Sequence, residues 1–271
     1  MKAVKQKPSS VSPMEKENSS SSSLKLFGSW ASSYTHRIQL ALKLKNLTFD
    51  YIEEDLSHKS PALLLHNPIY QKVPVLVADG RPIPESLLIL HFLDEYFPHN
   101  PRQLLPKSPH DRAAARFWAH FTDDRLGPAV AAVFASSGDA QVAAVDRFRS
   151  ELRLVEAELT DGVFAGSRFF SGDQIGFLDI VLGCGSYWLA VFEEVAEVKL
   201  VDAVEFPRFH AWLRDFEEQD EVKAIIPSFN ELLGYARGLR KILLGGGGGE
   251  ADNDGGAVAG VEAGDMGNLQ K

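Results

Sequence analysis

Residues 72–90 read KVPVLVADGRPIPESLLIL, and the folding of this run decides the architecture around it. Two short apolar stretches flank Asp79-Gly80. Asp-Gly between such stretches is the strongest short-range signal of a β-hairpin, because both turn positions accept a positive φ cheaply. Val73-Pro74 stands at the entry to the first strand, where a proline that cannot donate to the ladder needs an edge, a strand start or a cis bond. Beyond the hairpin, Leu87, Ile89, Leu90, Leu93 and Tyr96 recur at helical spacing. Ser86 is a natural N-cap for that helix, and Glu85 an acidic residue at its positive dipole end.

Working back from the hairpin, LKLFGSW (24–30) and LTFDYIEEDL (47–56) have strand lengths and apolar clustering, and YTHRIQLALKLKN (34–46) between them puts Tyr34, Ile38, Ala41 and Leu42 on one helical face. HKSPALLLHNPIYQ (58–71) reads as a short helix interrupted by prolines. The first part is therefore β-α-β-α-β-β-α, over 24–100. A Pro-punctuated linker follows at 101–108, and beyond it strand signals vanish. The runs at 110–134 and 140–160 are long amphipathic helices, QIGFLDIVLGCGSYWLAVFEE (174–194) is apolar nearly all round as expected of a helix central to a bundle, and 206–219 and 227–244 complete an all-helical region over 109–244.

With 271 residues and 45% hydrophobic content the chain can bury a large core or two ordinary ones. A formal charge of -9 argues against nucleic acid as a partner. A single cysteine, Cys184, excludes an internal disulfide framework and a multi-thiolate zinc site, fitting a reducing compartment and a cytoplasmic location. No apolar run reaches the roughly 20 residues that span a bilayer, and no signal-peptide core precedes the first strand. Residues 1–23 are Ser- and Lys-rich and 245–271 Gly-rich and acidic; both read as disordered tails. A transit peptide is the alternative at the N-terminus, opposed by Glu15, Glu17 and the lack of Arg, and Met14 is an alternative start.

In the stretch GSWASSYTHR (28–37), Ser32, Ser33 and Thr35 place their hydroxyls where strand hands over to helix. A hydroxyl there ordinarily caps an orphan backbone N–H. No His-Asp pair at a recognisable spacing makes any of them a hydrolase nucleophile. The same exposed N–H groups and positive dipole end also suit a bound anion. Lys59 and Lys72, taken alone, are solvated surface charges.

Taken in order, however, a Ser-bearing turn after the first strand, VP before the third and ES opening the third helix resemble a thioredoxin-like glutathione-binding domain. With the helical domain behind it, the chain resembles a cytosolic glutathione transferase, most of all the plant tau class, in WAS, LALKLKNLTFDYIEEDLSHKSPALLLHNP, KVPVLVADGRPIPESLLILHFLDE, RFWAHFTDDR and FFSGDQIGFLDIVLG. The similarity covers about residues 24 to 240. It implies the GST fold, glutathione as co-substrate, no metal, and conjugation of the glutathione thiolate to hydrophobic electrophiles in detoxification and stress response, with hydroperoxide reduction as a side activity. A non-catalytic carrier of planar ligands is the alternative, and a structural or signalling partner using the acidic tail a third reading.

The resemblance further implies that Ser32 is the catalytic hydroxyl, hydrogen-bonding the glutathione sulfur. Lowering a thiol pKa from about 8.5 to about 6.5 takes roughly 2.7 kcal/mol, and a hydrogen bond to a charged group supplies about 1.5 to 3. Lys59 and Lys72 would bind the glycyl carboxylate, Val73 beside Pro74 would pair with the cysteinyl backbone, Glu85 would meet the γ-glutamyl ammonium and Ser86 its carboxylate. Asp179 would serve folding by capping the central helix at Gly176. The acceptor site would lie on the helical domain, with Phe117, Phe121, Trp188 and Tyr235 as candidate lining, and Cys184 would be a buried structural thiol. Ser33-Tyr34 stands where the family often has Pro-Phe, so Ser33 competes for the role of Ser32. His36 is expected to change charge with pH, and Arg37 to stabilise the thiolate or lie on the surface. A homodimer formed through the third and fourth helices and the first domain's edge is also implied.

Overall fold

A computed structural model describes residues 23–245. The two tails read from composition lie outside the described residues, apart from their innermost positions. The N-terminal part runs β1 (Leu24–Gly28), α1 (Ser33–Leu44), β2 (Asp50–Glu53), α2 (Pro61–His66), β3 (Val75–Ala78), β4 (Arg81–Pro84) and α3 (Ser86–Tyr96). The strands form one mixed sheet in the order β2-β1-β3-β4, with β1 parallel to β2 and antiparallel to β3. The β3–β4 hairpin turns at Asp79 and Gly80, both at positive φ, as the Asp-Gly signal requires. β3 is buried along its whole length, while Pro82 and Pro84 lie in β4, an edge strand where a missing N–H costs nothing.

One face of the sheet packs on α1 and α3 through Leu26, Leu76, Ile38, Ile89 and Leu90, inside a core that continues into the helical region. The other face, with Phe27, Val73, Val75 and Val77, is covered by Leu63 of α2. Gly28 closes β1 against α1: a Cβ there would come within 2.3 Å of the Thr35 methyl. Thr35 itself accepts from the Ser29 amide, so its hydroxyl serves the turn.

The helical part comprises α4 (Pro109–Phe121), a wide π-helical turn (Thr122–Leu126), α5 (Gly127–Phe134), α6 (Gly138–Asp161), α7 (Phe177–Gly183), α8 (Ser186–Ala196), α9 (Pro207–Glu217), α10 (Asp220–Lys223) and α11 (Phe229–Gly245). Two expectations need correction. The 110–134 run is not one regular helix: Pro128 lacks an N–H and its ring crowds the carbonyl four residues back, so the backbone widens and the Gly127 amide bonds to Thr122 O, five residues back. The apolar 174–194 run is two helices, broken at Cys184-Gly185 between glycines of low helix propensity. Gly183 also lets α7 approach α9, since a Cβ there would sit 2.4 Å from the Phe216 ring.

Asp179 behaves as expected of a folding hub. Wholly buried, its carboxylate accepts from the amides of Phe170 (2.8 Å), Ser171 (3.2 Å) and Gly176 (3.0 Å) and from the Trp212 indole (2.9 Å). Gly176 is the N-cap of α7. Burial raises the Asp179 pKa, against the pull of those four donors. Among the described residues no helix is long and apolar enough to cross a membrane.

Candidate glutathione site

The β3 start, the β4–α3 junction and the C-terminal end of α4 enclose a cleft of about 240 Å³. It gathers Lys72, Val73, Pro74, Glu85 and Ser86 with Tyr34, His120, Asp123 and Asp124. Val73 is buried and joined to Pro74 by a cis peptide bond. Glu85 lies at φ 71°, a left-handed conformation that costs a non-glycine residue about 1–3 kcal/mol and concentrates at functional sites. The N-cap of α3 is therefore Glu85, with Ser86 as the first helical residue, correcting the reading of Ser86 as the cap. The Ser86 hydroxyl instead accepts a hydrogen bond from Arg37 Nη1 at 3.1 Å.

Arg37 is the structural centre of this corner. Its guanidinium forks onto Asp123 (Nη2–Oδ1 2.7 Å, Nη1–Oδ2 3.0 Å), donates from Nε to Val181 O at 3.1 Å, and lies 4.4 Å from the centroid of the Tyr34 ring. One side chain thus ties α1, α3, the π turn and α7 together. Burial opposes its charge, but the Asp123 carboxylate more than offsets that and raises the pKa. Burial, then Asp123, pushes the Tyr34 phenol up to about 12, so it stays protonated. The surface alternative for Arg37 is excluded, since the residue is buried.

Ser32 is the N-cap of α1, wholly buried, with its Oγ accepting from the Thr35 amide at 3.2 Å. It sits between Ser33 and Tyr34 on one side and the Ser29 turn on the other, and is not among the residues lining the 240 Å³ cleft. Lys59 is exposed and likewise outside that lining. Against the N-terminus of α1 lies a second cavity of about 70 Å³, enclosed by Ser33, Tyr34, Arg37, Leu126, Val130 and Trp188, among others. Trp188 is buried there and donates from Nε1 to Ala31 O at 3.1 Å. The other candidate aromatics are not in that lining: Phe117 is 63% exposed, Phe121 stacks edge-on with Trp118, and Tyr235 packs on Trp30 with centroids 5.6 Å apart and on Trp188 at 6.3 Å. A wider open groove of about 700 Å³, lined by Trp30, Tyr51 and Ile225, holds none of the predicted glutathione residues.

His36 corrects another expectation. Only 2% exposed and paired through Nδ1 with the Tyr187 hydroxyl, it has its pKa lowered by burial to about 4, so it does not change charge near neutral pH. Cys184 is buried as expected, and burial raises its thiol to about 12, beyond use as a nucleophile. Among the described residues no group of three His, Cys, Asp or Glu side chains could hold a metal ion.

Comparison with known proteins agrees with this fold. The family model described as "Glutathione S-transferase, N-terminal domain" matches residues 31–96, and "Glutathione S-transferase, C-terminal domain" matches 111–215. The chain is 40% identical over 221 residues to "Glutathione transferase GST 23" of Zea mays, covering 82% of this chain and 97% of that one. This chain belongs to the glutathione S-transferase family. A "Probable glutathione S-transferase" of Nicotiana tabacum is 42% identical, with 79% and 92% covered. Its fold matches that of a crystallographic Tau class glutathione S-transferase from mango, Mangifera indica, at a TM-score of 0.76 and 37% identity, over 80% of this chain and 98% of that one. Rice GST1, solved in complex with glutathione, matches at 0.75 and 34%, over 82% and 98%. The chain is thus a tau-class member of the family.

Of the residues lining the cleft, Asp123 and Asp124 escaped sequence reasoning. Asp123 is 86 positions from Arg37, and the π turn that carries it lies in a run the sequence reads as one regular helix.

Proposed function

We propose that the protein conjugates glutathione to electrophilic compounds. The observation that carries this is the convergence of Lys72, Val73, Pro74, Glu85 and Ser86 on one cleft beside the N-terminus of α1. Glutathione is a peptide with two carboxylates and one ammonium, and each has a complement: Lys72, assisted by Lys59, for the glycyl carboxylate, Glu85 for the ammonium, and Ser86 for the γ-glutamyl carboxylate. The Val73 backbone would align the cysteinyl unit as an added strand. That puts the thiol toward the start of α1, where the Ser32 hydroxyl turns from the Thr35 amide to donate to the sulfur, and the helix dipole adds about 0.3–1 kcal/mol for the anion. The Arg37–Asp123 pair holds Ser86 in place from beneath. The thiolate then attacks the electrophile, or the peroxide bond of an organic hydroperoxide.

The acceptor lies, in this reading, at the 70 Å³ cavity with Trp188 in its wall. We further propose a division into 24–100, a linker at 101–108 and 109–244, a cytoplasmic location, and a homodimer. The dimer is supported by exposed apolar side chains on α2 and the loop after it (Leu65, Ile69, Tyr70), on α3 (Leu88) and on α4 (Phe117), which a soluble monomer rarely leaves bare together.

A conjugation assay with a generic aryl halide, with and without glutathione, tests the reading. Glutathione-dependent turnover well above the uncatalysed rate is expected. Tight binding of planar ligands with no turnover across an electrophile panel would instead favour a carrier.

A further inference from the structure

The 240 Å³ cleft carries more negative charge than the contacts assigned to it so far make use of. Glu85, Asp123 and Asp124 all line it. Asp123 is neutralised by the Arg37 fork, at 2.7 and 3.0 Å. Among the described residues, the side chains of Glu85 and Asp124 make no hydrogen bond and no ion pair. They stand on different walls, Glu85 at the start of α3 and Asp124 in the π turn of the helical region. After burial and Asp123, both their charges raise the pKa of the buried Tyr34 phenol, so the two carboxylates converge on one side chain of the cleft. His91, in the same wall, adds a buried Nδ1 with no hydrogen-bond partner. Unmet polar groups around a cleft are satisfied when a polar ligand enters it.

We propose that Asp124 is a second ligand of the γ-glutamyl ammonium of glutathione, holding it against Glu85 from the opposite wall, so that the cleft selects peptides with a free amine at that end. The proposal rests on the glutathione reading of this cleft. The γ-glutamyl end is an amino-acid zwitterion. Its carboxylate goes to Ser86 and the positive end of α3, and the ammonium on the same carbon has more hydrogens to donate than one carboxylate takes up. Asp124 accepts from it across the cleft. Without that task, a carboxylate at Asp124 would only repel the two carboxylates of glutathione. Because Asp124 is exposed, water screens the pair, and its value lies in discrimination. A peptide whose γ-glutamyl amine is missing or acylated meets two carboxylates and has no charge to offer them. The contact also makes thiol selection depend on both regions, since Glu85 and Ser86 belong to the sheet region and Asp124 to the helical one.

Three forms of the full chain test this: wild type, Asp124→Asn, which keeps the shape and loses the charge, and Asp124→Glu, which keeps the charge. Each is assayed with a generic aryl halide and one of two thiols, glutathione or glutaryl-cysteinylglycine, the same tripeptide without its amine. The ratio of the two kcat/KM values reads the discrimination directly. At low ionic strength the ratio is expected to fall about threefold in Asp124→Asn, the size of a screened ion pair, and to stay near wild type in Asp124→Glu. Added salt should shrink the difference between wild type and Asp124→Asn. An unchanged ratio in Asp124→Asn, whether both thiols are untouched or both suffer alike, would overturn the proposal, and so would a fall that salt does not weaken. A wild type without glutathione-dependent turnover would instead sink the underlying reading, and the proposal with it.

Discussion

At the scale of single residues, His36 makes a titration claim with a definite sign. Its pKa falls from about 6.5 in the unfolded chain to about 4 in the fold, where burial beside Tyr187 disfavours the charged ring. The unfolded chain therefore binds a proton that the folded one refuses. The associated stability is present above pH 6.5 and is lost as pH falls toward 4, by about 3 kcal/mol. Urea unfolding followed across that range should lose stability less steeply in His36→Gln than in wild type; identical slopes would contradict the assignment. Arg37 makes a second claim. Arg37→Leu leaves the Asp123 carboxylate, 12% exposed, without its fork, and removal of one partner of a buried pair costs about 3–5 kcal/mol. Urea unfolding should register that loss, and the glutathione KM should rise because Ser86 loses its donor. The residues proposed to bind glutathione near the hairpin were legible because the family resemblance falls on local signatures: a proline at a strand entry, a carboxylate and a hydroxyl at a helix start. Arg37–Asp123 was not, because only the tertiary fold brings positions so far apart together.

At the scale of elements, the Asp79-Gly80 hairpin and α1 follow from local chemistry, and both form where the sequence puts them. The breaks in the helical region were less visible. Apolar periodicity runs unbroken through 110–134 and 174–194, and the interruptions depend on what Pro128 and the glycines around Cys184 do to the backbone. The strained Glu85 had no sequence marker at all, since a non-glycine residue at positive φ is held there by its surroundings. The π turn carries a prediction. Pro128→Ala restores an N–H and allows a regular helix, which would rotate Asp123 by about 100° relative to α5. The glutathione KM should then rise several-fold without loss of thermal stability; an unchanged KM would mean that the π turn does not position Asp123.

At the scale of the whole molecule, the two regions share one core, and Asp179 is the point where the 169–176 loop, α7 and α9 are fastened together. Asp179→Ala would strip four donors of their acceptor. Each unsatisfied buried donor costs about 1–3 kcal/mol, so even with partial relaxation the loss should be about 3 kcal/mol or more. Urea denaturation, with turnover of the remaining folded fraction near normal, would mark Asp179 as a residue of folding; selective loss of turnover in a stable protein would not. The proposed dimer is checked by light scattering on the full chain, where twice the chain mass of 29.8 kDa is expected.

The central claim is that a hydroxyl and a helix N-terminus, with no general base, keep glutathione as a thiolate. Ultraviolet titration of the bound thiol in wild type and Ser32→Ala tests it most directly. A hydrogen bond of about 1.5–3 kcal/mol corresponds to about one to two pKa units. The account predicts a wild-type midpoint about two units below the ordinary thiol value of about 8.5, and one raised by about one to two units in Ser32→Ala. The same midpoint in both proteins would contradict it.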